Sequence, residues 1–538
     1  MVGAGAAGIS LALSLATAGI SVLVLESGGF GGDRRRQALY RGQVADERLH
    51  SPPDKYRQRC FGGSTTIWGG RCMPFDPWDF ETRDWAPDSG WPIGYADVAS
   101  YYPAANAMVE AGACVYDADA AFDPSEEALI RGFASDSVLT SSLERFSCPT
   151  DFGKRYRRRL ASEANIEVML NANCLDIALS TDGGSVASLA VGVLSGKIFA
   201  VKARYYVLGV GGIETARLLL ASNSVCRAGV GNDYDQVGRY YMTHLGGVIG
   251  ELTIQRPLRD VRHGYLIAAD GVYCRRRLSL SADAQRRLGV GNMLARLHFP
   301  PIADPKHGLG VLSALFLARR LISYEYAYRL RGGAEPGWRD YAAHARNVAV
   351  DALDITQFGW HWLTRRTLAE RKYPSVVLRN KQNRFSLDVH SEQFPNPNSR
   401  ISLCGERDEF GMPRVLVDWR YLPEDIESVR RTLRVFAAEF ARGGVGVYRF
   451  EEDELEAELT RFGAYGGHHI GTARMGDNVK KSVTDKNCRV HGQSNLYVAG
   501  SAVFPTSSQA NPTLTLVALS LRLAAHLAEL LKTPGGLR

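Results

Sequence analysis

Three polar side chains near the C-terminal end of the sequence have the chemistry to take up a proton and to hold a hydroxyl group. They are the adjacent His468 and His469, in a glycine-rich segment, and Asn511 further on. Since the unperturbed pKa of an imidazole is about 6.5, a neutral histidine accepts protons near pH 7, and a side-chain amide can orient a bound group. His468 and Asn511 are far apart in the chain, so the fold must bring them together. Each also has a structural alternative, as a core histidine with satisfied hydrogen bonds or as the N-cap of a helix that begins at Pro512.

The first residues of the chain form a dinucleotide fingerprint. Gly3, Gly5 and Gly8 give the pattern GxGxxG, and a helical stretch to Thr17 and a buried strand that ends at Glu26 follow. The glycines let the backbone turn tightly and approach a pyrophosphate, which lies at the positive end of the helix. Because the terminal acid is placed to accept hydrogen bonds from a ribose, the pattern predicts nucleotide binding rather than a plain glycine turn. Only two residues precede the first glycine, which predicts a short first strand, a trimmed or misplaced chain start and weaker retention of the cofactor.

Two further glycine-rich segments indicate close approach of the backbone to a ligand. Residues 62–70 contain two double glycines around small hydroxyl residues and Trp68, which favours packing against a flat ring or a phosphate. Residues 205–215 have the order of a strand, a glycine turn and a helix start. Between them, residues 167–170, 176–179 and 190–193 are predicted to form a β-meander.

Composition limits the class of protein. A chain of 538 residues is too long for one simple core, so two domains are expected, and 45% apolar with 22% charged residues is typical of globular proteins. The net charge of +7 is small and its basic residues are dispersed, so no nucleic-acid partner is predicted. The nine cysteines show no metal-ligand spacing, which predicts no metal, reduced thiols and a cytoplasmic location. We expect no signal peptide and no transmembrane span.

A helical stretch rich in arginine and aromatic residues covers roughly residues 312–370. Its first part, 312–322, is apolar with a basic break, which favours a partly buried helix of a second domain. A membrane-facing or partner-docking helix is the alternative. The chain contains no internal repeat and no long linker, so the two domains are predicted to be interleaved.

These segments together resemble the glucose-methanol-choline (GMC) family of flavoprotein oxidoreductases. The resemblance spans the chain, although it is loose in the middle, and the pattern HxxGTxRMG at residues 468–476 before Asn511-Pro512-Thr513 is specific. The matching segments are residues 3–8 with Glu26, 62–70, 209–220, 238–244 and the C-terminal stretch from 466.

The resemblance implies an α/β fold with two interleaved domains. A Rossmann-like FAD-binding domain would comprise residues 1–75, 160–240 and 462–538. A substrate-binding domain, built on a mainly antiparallel sheet with helices, would comprise residues 76–159 and 241–461.

The resemblance also implies roles for single residues. His468 would be the base and Asn511 would orient the substrate hydroxyl, while His469, Glu392 and Gln393 are weaker candidates for substrate contact. The residues predicted to bind the cofactor are Gly3, Gly5, Ala6, Ala7, Gly8, Glu26, Ser27, Gly63, Ser64, Trp68, Gly69, Gly70, Cys174, Gly211, Gly500, Ser501, Asn511, Pro512 and Thr513.

The sequence departs from the family pattern at two positions. Some sugar-oxidising relatives carry a histidine, covalently bound to the flavin, where this chain has Ile67, so non-covalent FAD is predicted. Many members have an acid where this chain has Gly500, which would alter contacts to the ribityl chain of the flavin.

The function that the resemblance implies is oxidation of an alcohol, with hydride transfer to FAD. Residues 69–70 and 396–401 are similar to those of bacterial members that act on sugars, glycosides or related polyols, and a secondary ring hydroxyl is one candidate target. Alternatives are the same chemistry on an apolar alcohol or sterol, a non-redox lyase, and a flavin-binding component that docks an electron-transfer partner through residues 312–370. The electron acceptor (oxygen, a quinone or a redox protein) and a homo-oligomeric state stay open.

Overall fold

The computed structural model describes residues 1–122, 128–319, 337–378, 382–461, 463–464 and 467–532. Its helices are α1 (Ala6–Thr17), α2 (Arg34–Gln37), α3 (Ala96–Ala99), α4 (Tyr102–Met108), α5 (Ala118–Ala121), α6 (Phe152–Ser162), α7 (Gly212–Ala221), α8 (Ala282–Leu288), α9 (Gly310–Leu317), α10 (Trp338–Val350), α11 (Ala352–Trp362), α12 (Pro423–Arg442), α13 (Leu455–Thr460) and α14 (Thr513–Lys532).

The strands form six sheet segments. In chain order they are β1 (Val22–Glu26), β2 (Gln43–Val44), β3 (Arg71–Cys72), β4 (Val138–Leu139), β5 (Leu143–Phe146), β6 (Ile166–Leu170), β7 (Asn173–Leu179), β8 (Val186–Gly192), β9 (Ile198–Val201), β10 (Tyr206–Leu208), β11 (Leu245–Ile254), β12 (Tyr265–Ile267), β13 (Tyr273–Arg276), β14 (Leu278–Leu280), β15 (Met293–His298), β16 (Arg384–Ser391), β17 (Arg400–Arg407), β18 (Pro413–Asp418), β19 (Gly446–Arg449) and β20 (Leu496–Val498).

A parallel sheet carries the nucleotide fingerprint. Strand β1 pairs with β6, and β10 pairs with β20, both in parallel. Val2 lies between the two pairs and bridges Leu25 of β1 and Leu208 of β10. The amide of Gly3 donates to the Leu25 carbonyl at 2.7 Å, so the two residues before the fingerprint complete the sheet as the predicted short first strand. This sheet and the helix α1, which follows the first glycines, make the predicted Rossmann-like unit.

An antiparallel sheet dominates the second half of the molecule. Its order is β19-β11-β16-β15-β14-β4, and each pairing between neighbours is antiparallel. Helix α12 packs against β19 at its edge. The mixed α/β architecture with a mainly antiparallel second sheet agrees with the predicted fold class.

The predicted β-meander is partly wrong. Residues 167–170 belong to β6, which pairs in parallel with β1, so they are part of the nucleotide-binding sheet. The antiparallel meander consists instead of β7, β8 and β9, and β9 was not predicted. The apolar pattern of β6 does not reveal its direction, since pairing partners far along the chain decide that.

The buried apolar residues form two main cores, and segments that belong to one core alternate along the chain with segments of the other. One packs the parallel sheet with helices α1, α7 and α14, and the other packs the six-stranded antiparallel sheet with helix α12. The first core also includes Tyr102 and Ile401, which lie in segments predicted to belong to the substrate domain. The interleaved arrangement follows from this alternation, and the residue boundaries of the two domains stay a prediction.

The predicted helical stretch 312–370 is helical where it is described. It contains α9, α10 and α11, and α11 continues as one π-helical segment, Leu363–Thr367, while residues 320–336 lie outside the described residues. Large apolar side chains on these helices are exposed, among them Trp338, Leu353 and Trp360. A partly buried helix is correct for α9, whereas a role in docking stays a prediction.

In the described part of the chain, one helix is long and apolar enough to cross a membrane. It is α14, and most of its apolar window is buried inside the protein. It packs against α1 and α4. The absence of a transmembrane span stays a prediction.

Candidate active site

The fold brings His468 and Asn511 together. Asn511 Nδ2 lies 3.2 Å from His468 Nε2. Residues 467–469 lead into the isolated bridge between Ile470 and Met242, and Asn511 lies just before α14. Gly466, the start of the predicted C-terminal segment, lies outside the described residues. An amide nitrogen can only donate, so His468 Nε2 is the acceptor in this contact.

Asn511 does not act as the helix cap that was the structural alternative. Helix α14 begins at Thr513, and the carbonyl of Pro512 accepts its first intrahelical hydrogen bond, from Leu516, at 2.8 Å. Pro512 therefore takes the N-cap position, one residue later than the sequence suggested. The Asn511 side chain is free of capping and is directed to His468.

Two more histidines surround His468. His244, just before β11, places Nδ1 2.9 Å from His468 Nδ1, and its ring stacks on that of His390 in β16 with centroids 4.2 Å apart. The antiparallel pairing of Gly246 with His390 brings the two rings together. Burial lowers the pKa of His244 to about 4, and burial together with the neighbouring His244 lowers the pKa of His390 well below its usual value. Both rings are neutral at pH 7.

These three imidazoles each offer a nitrogen within 4.8 Å of the others, which is metal-ligand spacing. Hydrogen bonds already involve three of the ring nitrogens, one on each histidine. His390 Nδ1 donates to the Gln509 carbonyl at 2.6 Å, and the Nδ1 atoms of His244 and His468 face each other. The predicted absence of a metal stays a prediction.

His469 belongs to a second chain of hydrogen bonds. Its Nδ1 lies 2.7 Å from the Tyr241 hydroxyl, which lies 2.9 Å from His50 Nε2. His50 Nδ1 donates to the Ser51 carbonyl at 2.6 Å, so His50 Nε2 accepts from Tyr241 and the tyrosine oxygen accepts from His469 Nδ1. His469 Nε2 is therefore unprotonated in the neutral ring, and it has no protein partner. Its ring borders a large cavity and could contact a ligand there.

The histidines and the fingerprint share one cavity of about 740 Å³. This volume lies in the range of about 300–1,000 Å³ typical of small-molecule sites. The predicted site residues that line it are Gly3, Gly5, Ala6, Ala7, Glu26, Ser27, Gly63, Ser64, Trp68, Gly69, Gly70, Cys174, Gly211, Gly500, Ser501, Asn511, Pro512, Thr513, His468 and His469. Ile67 also lines it. The two ends of the chain thus meet around one space.

Close backbone contacts explain the glycines of the fingerprint. A Cβ atom on Gly3 would lie 2.5 Å from the Gly209 carbonyl oxygen, and one on Gly8 would lie 2.0 Å from the Gly3 oxygen. Gly8 does not line the cavity, so its function is packing of helix against strand. Gly5 differs, because a Cβ there would meet nothing within 4 Å.

The walls of the cavity fit a dinucleotide such as FAD. Gly5 is the N-cap of α1 and has no side chain to occupy the amide groups of the first turn, which leaves them for a pyrophosphate. Glu26 is held by the amides of Ala4 and Gly28 at 2.8 and 2.7 Å, which keeps its carboxylate at the cavity edge for a ribose. Burial raises the pKa of Glu26, and these amide bonds oppose that shift. Gly500 adopts a φ of 114°, a backbone conformation that favours glycine over residues with a side chain.

Glu392 and Gln393 have structural partners away from the cavity. Arg83 forms two contacts with the Glu392 carboxylate, at 2.5 and 2.7 Å. Gln393 accepts from the amide of Thr243 and from Trp419 Nε1, each at 2.9 Å. Neither residue is among those that line the cavity, so substrate contact by them has no support from this geometry.

Sequence reasoning missed a charged cluster in the cavity wall. Glu214 forms ion pairs with Arg57 at 3.1 Å, and with Arg59 and Arg217 at 3.3 Å. Although burial alone would raise it, the guanidinium groups of Arg217, Arg57 and Arg59 lower the pKa of Glu214 to about 2. The sequence signal was weak: Glu214 stands in the first turn of α7, after a glycine turn that was recognised.

The two supporting rings, His244 and His390, were missed for another reason. His244 lies in segment 238–244, which was recognised, but nothing in its spacing distinguishes it from a core histidine. His390 lies near the end of β16, in a segment without a motif. Only the register of β11 with β16 places both beside His468.

Comparison with known proteins relates the chain to oxidoreductases. Residues 395–520 match the family model for GMC oxidoreductase. The chain is similar to 6'''-hydroxyparomomycin C oxidase of Streptomyces lividus, with 24% identity over 98% of this chain and 91% of the relative. It is also similar to C-glycoside 3-oxidase of Arthrobacter globiformis, with 35% identity over 23% of this chain and 22% of the relative.

A solved structure shows the same fold. An FAD-dependent oxidoreductase from Chaetomium thermophilum superposes with a TM-score of 0.55 at 16% identity, over 99% of both chains. The fold that carries the histidines and the glycine-lined cavity is therefore a known one.

Proposed function

Because this chain belongs to the GMC oxidoreductase family, we propose that it oxidises a hydroxyl group of a sugar or glycoside to a carbonyl group in an FAD-dependent reaction. One observation carries the proposal. His468 and Asn511, whose Nε2 and Nδ2 atoms lie 3.2 Å apart, line the same cavity as the dinucleotide fingerprint. A proton acceptor and a hydrogen-bond donor therefore face one ligand space.

The residues of this chain divide the chemistry between them. His468 Nε2 accepts the proton of the substrate hydroxyl, and Asn511 Nδ2 donates a hydrogen bond to its oxygen. His469 lines the same cavity, while its unprotonated Nε2 is buried and has no protein partner. FAD, when bound, supplies the hydride acceptor that no side chain can provide.

The fingerprint glycines, Glu26 and the residues before α14 would hold the cofactor. Ile67 lines the cavity at the position where some relatives have a flavin-linked histidine. Its side chain has no nucleophilic atom, which supports non-covalent FAD in this protein.

The substrate class rests on the similar proteins. Two of them are 6'''-hydroxyparomomycin C oxidase and C-glycoside 3-oxidase. A sugar-type alcohol is therefore the substrate class that we propose, whereas the hydroxyl that reacts and the electron acceptor are left to experiment.

The experiment is anaerobic mixing of the FAD-bound protein with a panel of sugars, glycosides and simple alcohols. We expect loss of the flavin absorbance with at least one sugar or glycoside. His468→Ala should slow this reduction by roughly 10²–10⁴-fold, the range for a general base, with FAD still bound. His491→Ala is the control, because His491 bonds to the Ser482 hydroxyl away from the cavity.

Other outcomes identify the competing functions. Reduction by apolar alcohols alone would replace the substrate class. Bound flavin that no alcohol reduces would favour a non-redox enzyme or a docking component, and equal rates in His468→Ala would remove the base assignment. A protein that takes up no FAD would contradict the cofactor proposal.

A further inference from the structure

We propose that His244 is a positioning residue that holds His468 in the tautomer whose unprotonated nitrogen faces the cavity. This inference rests on the proposed function for its catalytic consequence. The arrangement of protons itself can be tested without catalysis.

With the amide nitrogen of Asn511 directed at His468, the hydrogen bonds around the His468 ring permit one arrangement of protons. The amide nitrogen of Asn511 is a hydrogen-bond donor and lies next to His468 Nε2. His468 Nε2 is therefore the acceptor and carries no proton. In a neutral ring the proton is then on Nδ1, which donates to His244 Nδ1 at 2.9 Å. The opposite tautomer would set a proton on Nε2 against the Asn511 donor. Asn511 thus selects this state, and His244 completes it as the acceptor.

His244 can accept this bond only as a neutral ring with its own proton on Nε2. Its complete burial favours the neutral form, because desolvation disfavours a charged ring. A charged imidazole would have two donors and no acceptor. Its ring is perpendicular to that of His468, with centroids 4.9 Å apart and an interplanar angle of 87°. This geometry directs one ring nitrogen at the other instead of stacking the two rings.

His390 keeps His244 in place. The two rings stack with centroids 4.2 Å apart, and His390 Nδ1 is tied to the Gln509 carbonyl, two residues before Asn511. The segment that carries Asn511 and the ring that supports His244 are therefore connected. The stack leaves His244 little freedom to rotate away from His468.

The consequence for the reaction concerns a single proton. When the substrate hydroxyl gives its proton to His468 Nε2, the ring becomes an imidazolium with protons on both nitrogens. Its Nδ1–H then donates a charge-assisted hydrogen bond to His244 Nδ1, which stabilises the cation. His244 thus acts on the base as the aspartate acts on the histidine of a Ser-His-Asp triad, without its charge.

The test compares two substitutions at one position. Asparagine keeps an acceptor oxygen near the place of Nδ1, while leucine of similar size has none, and both remove the stack with His390. We expect His244→Leu to slow flavin reduction by roughly 10- to 100-fold, as loss of the partner that fixes a functional imidazole does, with KM changed less than threefold. His244→Asn should restore most of the rate.

A second measurement does not depend on activity. Ring ¹⁵N spectra of histidine-labelled, FAD-free protein, assigned with His468→Ala, should show His468 protonated at Nδ1 in the wild type and in His244→Asn. His244→Leu should show a mixture of both tautomers. If wild-type protein is reduced by no sugar while this pattern holds, the proposed function fails and the positioning role stands.

Three results would overturn the inference. The first is a protonated Nε2 on His468 in the wild type. The second is an unchanged His468 tautomer and an unchanged rate of flavin reduction in His244→Leu. The third is an equal loss of that rate in the leucine and asparagine variants. If the leucine variant does not fold, the wild-type and asparagine spectra decide the question alone.

Discussion

At the scale of single residues, the site depends on imidazoles that the fold keeps uncharged. His50, His244 and His390 are buried, and desolvation lowers the pKa of each ring. A neutral histidine has one donor and one acceptor, so a chain of such rings has a defined direction. That direction sets which nitrogen of His468 and of His469 is unprotonated.

The buried His50 predicts a loss of stability in acid. Burial lowers the pKa of His50 to about 4, so its stabilising contribution is complete above the unfolded value of about 6.5 and is lost as the pH falls through the folded value. Over that window the contribution amounts to about 3 kcal/mol. The free energy of unfolding in urea, measured between pH 7.5 and 4, should fall less steeply in His50→Gln than in the wild type. Parallel curves for the two proteins would contradict this assignment.

At the scale of elements, glycine-rich turns do most to shape the cavity. The turn before α1, the segment 62–70 and the turn before α7 lie against one another, with the Gly63 Cβ position 3.1 Å from the Gly5 Cα. Side chains there would separate the three segments. Helix α1 and the segment before α14 then face the same space from the two ends of the chain.

Two glycines of the same fingerprint should respond differently to alanine. Gly5 has φ −84° and open space at its Cβ position, so Gly5→Ala should leave the thermal stability of FAD-free protein unchanged. Its methyl group would occupy the path of a pyrophosphate, and FAD affinity should fall by roughly tenfold or more, about 1.4 kcal/mol. Gly8→Ala should instead lower the unfolding temperature, because its Cβ would lie 2.0 Å from the Gly3 oxygen.

Flavin titration and thermal unfolding of both variants separate the two functions. Equal stability losses in the two proteins would show that Gly5 is a packing residue as well. Unchanged FAD affinity in Gly5→Ala would place the pyrophosphate elsewhere.

At the scale of the whole molecule, segments from both ends of the chain line one cavity. Its walls come from the N-terminal fingerprint, from residues 56–71 and 209–218, and from the C-terminal segment. A ligand held by all of these parts binds only the folded protein. Such binding stabilises the native state by about 2.7 kcal/mol when the free ligand is at 100 times its Kd.

Removal of FAD should therefore be reversible and destabilising. We expect FAD-free protein to unfold at a temperature several degrees lower, and added FAD to restore the original value. Because binding is proposed to be non-covalent, acid precipitation should leave the flavin in the supernatant. Flavin that stays with the precipitate would contradict that proposal. Equal unfolding temperatures with and without bound FAD would contradict the proposal that segments from both ends of the chain hold the cofactor.

The sequence by itself determined the parts of this protein that depend on local backbone requirements. The GxGxxG pattern, Glu26 and the segments 62–70 and 468–476 could be recognised because close backbone approach demands glycine at fixed spacings. These segments also carry the resemblance to the GMC oxidoreductases, and the residues predicted from them line one cavity, apart from Gly8.

Only the tertiary structure decided how the polar groups are paired. Contacts between distant parts of the chain set the parallel direction of β6 and place His244 beside His468. They also pair Glu392 with Arg83 and leave the Asn511 side chain outside the helix cap. Their physical reason is the same. A hydrogen bond between distant residues depends on strand register and ring orientation, and neither leaves a periodic pattern in the sequence.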